Sequence, residues 1–317
     1  VIDFRYHLVS IVSIFMALAV GIVLGAGPLE GQIGDTLTQE VTQLREDRAA
    51  LRTQLDEARQ ATNARDEFTA DARARLVGGT LAEKKIALVV LPSADADHVT
   101  AIAETLTAAG ATIASRTTVE ESWTPQDEEA TQQIATVAAE LRRAVGLPGA
   151  GTSEDSPLDA VLASALVASD ASAASDAAKG ALERLASENL IDLDAADLER
   201  AHAAVVVGAP IPGDAAAERD RVAARLAGLA LALDEAGQGA VLASDVGVAG
   251  SAGASSVVRA ARDDAGTSRA LSTVDDVSSS LGQVSVVYAL VQQIGGGVGQ
   301  YGLGDGVSAG YPPIPAP

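Results

Sequence analysis

Cysteine is absent from the 317 residues. Disulfides, thiolate nucleophiles and cysteine-based zinc sites are therefore excluded. Aromatic residues make up only 3% of the chain, so a core must be assembled from Ala, Val, Leu and Ile, which a hydrophobic content of 48% supplies. Positive charge is scarce. Lys and Arg number 22 against 43 Asp and Glu, leaving a net charge of −21. Such a chain repels phosphate backbones, and nucleic acid is not an expected partner. The P-loop string, the H-E-x-x-H pair and the G-x-S-x-G elbow are missing as well.

One long apolar run is present. Leu8 to Gly27, LVSIVSIFMALAVGIVLGAG, carries no charge over twenty residues. As a helix it is about 30 Å long, the thickness of a bilayer's hydrocarbon core. Arg5 precedes the run, with His7 beside it, and the next Lys or Arg is Arg45. The positive-inside rule then keeps residues 1–7 in the cytoplasm and translocates the rest. A secreted product cleaved near Gly27 is the alternative, because Gly25-Ala26-Gly27 supplies small residues of the kind signal peptidases accept. Gly21 and Gly25 form a G-x-x-x-G pair, the spacing that lets two membrane helices approach closely.

Residues 28–77 read as a parallel coiled-coil stalk. Leu37, Leu44 and Leu51 occupy heptad position d, and Val41, Arg48 and Leu55 occupy position a. Glu40, Asp47 and Gln54 at g face Arg45, Arg52 and Arg59 at the following e positions of a parallel partner. Arg48 interrupts the apolar seam, a device that costs stability but fixes register. The seam spans roughly three heptads and gains from tethering by paired membrane helices.

Residues 78–301 read as an extracytoplasmic α/β domain built on a parallel sheet. Ile86–Leu91, Ala203–Val207 and Ala240–Ala243 are continuous apolar runs, the pattern of strands buried on both faces. A further strand is expected near Thr112–Ser115. Helices are expected at about 97–109, 158–169, 173–189, 214–236 and 282–294, and Thr124-Pro125 is read as a helix start, with acids in its first turn. Gly146–Pro157 is expected as a surface loop, and Leu271–Asp276 as a turn. Residues 302–317 are expected to be a disordered Gly/Pro-rich tail.

Chemistry is thinly represented. Gly297–Gly302 spells G-x-G-x-x-G, but a helix precedes it where a dinucleotide site needs a strand. His7, His98 and His202 are far apart in sequence. Asp275 and Asp276 follow a strand-like segment and are the only candidates for a cation or for acid–base work, set against a plain solvated turn or helix start. No catalytic constellation, metal site or cofactor site assembles from these residues, and an enzyme is not expected.

FRYHLVSIVSIFMALAVGIVLGAG, LREDRAALRTQL, STVDDVSSSLGQVSVVYAL and GGGVGQYG together resemble the actinobacterial copper transporter family of the mycobacterial MctB type. The resemblance implies a role in copper homeostasis in the cell envelope. Related corynebacterial proteins resemble partners in cell-wall assembly and division. Copper itself is implied by that resemblance alone, since the chain offers no Cys, one Met (Met16, in the apolar run) and three scattered His. The expected protein is a plasma-membrane homodimer, paired through Gly21, Gly25 and the seam Leu37, Val41, Leu44, Arg48, Leu51 and Leu55. Its α/β domain engages an envelope protein partner. An α/β enzyme acting on an envelope substrate is the alternative.

Overall fold

The computed structural model describes residues 4–26, 29–147, 157–194, 199–213, 215–245 and 255–315. Two compact units divide at residue 65. The first contains helix α1, Phe4–Ala26, and the beginning of helix α2, Leu29–Val77. Phe4–Gly25 is, among the described residues, the one helix long and apolar enough to cross a membrane, and none of it is buried. Most of the stretch predicted as a stalk is thus one helix.

In the second unit, β1 (Lys85–Val90), α3 (Ala96–Ala108) and β2 (Thr112–Val119) come first. They are followed by α4 (Glu128–Ala144), α5 (Pro157–Leu166), α6 (Asp176–Ser187) and the short strand β3 (Ile191–Asp194). Next are β4 (Ala203–Val207), β5 (Pro210–Ile211), α7 (Ala216–Ala236) and β6 (Ala240–Ala243). The chain then runs through β7 (Ser255–Ser256), α8 (Val257–Asp263), α9 (Thr267–Ala270), β8 (Ser272–Val274), α10 (Ser280–Ile294) and β9 (Gln300–Tyr301).

Seven strands form one sheet in the order β3-β2-β1-β4-β6-β8-β9. All neighbours are parallel except β3, which lies antiparallel against β2 at one edge. The chain winds outward from β1 to β2 in one direction and from β1 to β4 and beyond in the other. The order therefore reverses between β1 and β4. The alternating strand residues divide between two cores. Ala87, Val89, Ala204, Val206 and Leu242 pack with α4 to α8 on one face; Ile86, Leu88, Val205, Val207 and Val241 pack with α3 and α10 on the other. Each fully buried valine is worth about 1.5–3 kcal/mol over its exposed state.

Several expectations need correction. The strand predicted to end at Ser115 continues to Val119, because Arg116, Thr117 and Thr118 pair with both β1 and β3 and Val119 pairs with Ile191 of β3. The predicted turn at 271–276 contains β8, held as a strand by β6 and β9 on either side. The helix expected at Thr124-Pro125 starts at Glu128, capped by the Asp127 carboxylate, which accepts from the Ala130 amide at 2.7 Å. Residues 148–156 of the predicted loop and Asp214 of the predicted helix lie outside the described residues.

The segment from Gly302, expected to be disordered, is held through its backbone. Asp275 accepts from the amides of Leu303 at 2.6 Å and Gly304 at 3.0 Å. Arg262 pairs with the same carboxylate and donates to Tyr301 O at 2.8 Å and Asp305 O at 3.1 Å. A Cβ at Gly302 would stand 1.8 Å from Asp275 Oδ1, and its φ is +126°, so only glycine fits. Both ionic side chains are nearly sealed from water, at 3% and 0% exposure. Removing one partner strands a buried charge. Arg262→Ala should cost about 3–5 kcal/mol, measured as loss of thermal stability of the full-length protein followed by Trp123 fluorescence.

Candidate functional site

The carboxyl ends of the parallel strands carry two groups of side chains. One lies at the order reversal, where open α/β sheets leave a crevice. Beyond β1, β2 and β4 is a cavity of about 630 Å³. Ile211, Val222 and Leu226 form an apolar wall, and Ser93 and Thr124 contribute hydroxyls. Glu121, Asp127 and Glu218 line it with carboxylates, of which Asp127 already caps α4.

Arg219 sits within the first turn of α7, 6% exposed, and also lines the cavity. Its Nη1 donates to Gly213 O at 2.5 Å. Its Nε is buried with no hydrogen-bond partner, and among the described residues it makes no ion pair. The N-terminus of α7 has no side-chain cap. Composition gave no pointer to Arg219. The usable signal was positional: a Gly/Pro-rich link, GAPIPG, joins a buried strand to a helix with a cation in its first turn.

The second group lies beyond β6 and β8. Asp275 is engaged by Arg262 and two amides, so its oxygens are occupied. Asp276 is partly exposed and accepts from Ser279 Oγ at 2.6 Å. Burial pushes the Asp276 carboxyl above its ordinary value of 3.8; the Ser279 hydroxyl opposes this, and the carboxylates of Asp245, Asp275 and Asp66 add to it. Asp245 Oδ2 pairs with His98 Nδ1 at 3.1 Å, and Asp245 Oδ1 accepts from the Ser278 amide at 3.0 Å. The Asp66 side chain is tied in here too, its Oδ1 accepting from the Ser280 amide at 2.5 Å.

The remaining predicted residues fall in the first unit. A Cβ at Gly21 or Gly25 would meet nothing within 4 Å. Leu37, Val41, Leu44, Leu51 and Leu55 are exposed on α2, Leu44 by 67% and Leu51 by 65%, and Arg48 is exposed with them. Their spacing places them on a single helical stripe.

Copper finds few ligands in this chain. Soft sulfur donors suit Cu(I) and imidazole suits Cu(II). The single Met is Met16 in α1. His98 is paired with Asp245 at the carboxyl edge of the sheet. His202 precedes β4 at the opposite edge, where its Nδ1 accepts from the Lys85 amide at 3.0 Å. Burial, with Lys84 and Lys85 nearby, pushes that imidazole below its ordinary value of 6.5. Among the described residues no group of three or more His, Asp or Glu is placed to hold a metal ion. The donor set therefore does not fit a copper centre.

The fold is thus that of a doubly wound α/β protein with an N-terminal helix of membrane-spanning length. A family model described as "Copper transport outer membrane protein, MctB" matches residues 1–312, and the chain belongs to that family. It is 28% identical to the Copper transporter MctB of Mycobacterium tuberculosis, over 96% of this chain and 97% of that one. The Copper transporter MctB of Mycobacterium leprae is also 28% identical, over 97% and 98% of the two chains. The family is named for transport and not for catalysis.

Asp276 supplies a pH prediction. A raised carboxyl holds its proton more tightly in the folded state. Its stabilising effect is present at acidic pH and is lost as pH rises through the folded-state value. Asp276→Asn keeps an acceptor for Ser279 and removes the charge. The variant should melt about 1–3 °C higher than the parent at pH 7, with the gap closing as the pH approaches 4. Measuring both melts across pH 4–8 checks the sign; a lower melt at pH 7 contradicts it.

Proposed function

We propose that the protein is a single-span, homodimeric envelope protein that serves copper homeostasis as a scaffold for a partner protein, without carrying the ion on its own side chains. Residues 1–7 stay cytoplasmic, and the α/β unit is extracytoplasmic. The observation that carries this reading is the unpartnered apolar stripe on α2, with Leu44 and Leu51 about two-thirds exposed. Leucines repeating every seven residues on a long helix leave apolar surface in water unless a second helix covers them. Gly21 and Gly25 on α1 leave an open face of the kind that paired membrane helices use. The charges flanking the stripe match a parallel second copy, Glu40 with Arg45 and Asp47 with Arg52.

The link to copper comes from the family. Two mycobacterial relatives are named copper transporters. One apolar helix per chain, or two in a pair, presents no polar channel for an ion, since Leu8 to Gly27 contains only two hydroxyls and no charge. Acting through a partner reconciles the family's role with that side-chain chemistry.

Two outcomes are expected. The double variant Leu44→Asp, Leu51→Asp should sediment in detergent at half the mass of the parent; an unchanged mass removes the zipper. Titrating the purified full-length protein with Cu(I) and Cu(II) should give no stoichiometric binding tighter than about millimolar, as expected of a chain without soft ligands. Micromolar binding overturns the scaffold reading.

A further inference from the structure

The cavity between the ends of β1 and β4 is lined by a buried cation that forms no ion pair among the described residues, although Glu121, Asp127 and Glu218 line it too. Arg219 is more than nine-tenths buried, and among the described residues no carboxylate pairs with it. Its Nε has no acceptor at all. It also stands in the first turn of a 21-residue helix, where the helix dipole already presents positive charge and where a cation is disfavoured. Among the described residues no side chain caps the α7 N-terminus. A buried guanidinium that spends one N–H on Gly213 O and has no acceptor for its Nε, beside amides without a side-chain cap, favours an anion.

The rest of the wall narrows what kind of anion. Glu121 and Glu218 line the same cavity, and the chain as a whole carries −21. A polyanion such as a nucleotide is repelled by that field. A ligand with one anionic group and one ammonium satisfies both signs. Ile211, Val222 and Leu226 then face the ligand with apolar surface. The volume of about 630 Å³ lies in the range of small-ligand pockets.

We infer that this cavity binds a small zwitterion, an apolar amino acid or short peptide, with its carboxylate on Arg219 and the α7 amides and its ammonium on the rim acids Glu121 and Glu218. Binding is non-covalent and is independent of whether the chain pairs through α2.

The only tryptophan of the chain provides the readout. Trp123 is fully buried between Ser122 and Thr124, both of which line the cavity. The full-length protein in detergent is titrated with leucine, alanyl-leucine, the N-acetylated and C-amidated forms of that dipeptide, and inorganic phosphate. Trp123 fluorescence and titration calorimetry follow binding. Leucine or alanyl-leucine should bind saturably. Both blocked dipeptides should bind about tenfold more weakly or worse, because each loses one charge-assisted contact. Arg219→Met should abolish binding, and Glu218→Gln should weaken the free dipeptide but not its acetylated form. If Arg219→Met does not fold, Val222→Phe fills the apolar wall with Arg219 intact and should block binding on its own. The inference fails if neither leucine nor alanyl-leucine saturates by about 10 mM, or if phosphate binds more tightly than both. It also fails if the folded variants among Arg219→Met and Val222→Phe bind as the parent does.

Discussion

Strand β4 offers five side chains, Ala203 to Val207, and none of them has a polar atom or any exposure to solvent. Such a strand cannot face water on either side, so helices must cover both faces of the sheet around it. Its neighbours β1 and β6 share the constraint, and the two cores meet through them. Helices above and below a parallel sheet force the connections to wind out from the centre in both directions. That winding opens a crevice where the order reverses, beside β1 and β4. The cavity with Arg219 thus follows from how apolar the central strands are.

A dense group of buried polar contacts gathers at the far end of the sheet. Gln293 accepts from the Ser272 amide at 3.1 Å and donates to Asp234 at 2.8 Å and Ala270 O at 2.6 Å. Gln300 donates to Ser268 O at 2.9 Å and Leu271 O at 3.0 Å. With Arg262 and Asp275 they fasten β8, α10, β9 and the following turn into one piece. The two C-terminal segments that resemble the copper transporter family, STVDDVSSSLGQVSVVYAL and GGGVGQYG, are the segments joined there. Within them Asp275 serves as an acceptor for Arg262 and for two amides. Gly282 lets α10 pass close to residue 276, where a Cβ would meet Asp276 O at 1.6 Å.

Where local pattern and burial agree, the sequence was easily read. Ala203–Val207 and Ala240–Ala243 match the observed strands residue for residue, because a short apolar run between turn residues has few alternatives. Ser272–Val274 was legible only in part: the stretch before Asp275 looks strand-like yet also reads as a turn, and three residues, two of them hydroxylated, become a strand because β6 and β9 lie on both sides. The order of residues 302–309 was hidden for a related reason. Gly- and Pro-rich composition reports the lack of side chains to bury, while the attachment is made by backbone amides to a carboxylate about thirty residues away. Arg219 was equally hidden, since its burial depends on how α7 meets the loop before it. Asp127 over Thr124 as the cap of α4 was a choice between two nearby capping residues, settled by which carboxyl or hydroxyl reaches the third amide.

The first unit has the opposite character. Its apolar residues, in α1 and along the stripe of α2, are exposed, and its polar ones leave no core of their own. In the function proposed above, lipid and a second copy of the chain cover these surfaces. Because the protein has no native cysteine, the pairing is directly measurable in native membranes by mild oxidation of single-cysteine variants. Leu44→Cys and Leu51→Cys should each form a disulfide-linked dimer, while Glu46→Cys, on the far side of the same helix turn, should not. No dimer at 44 or 51, or equal crosslinking at 46, would contradict a paired stalk.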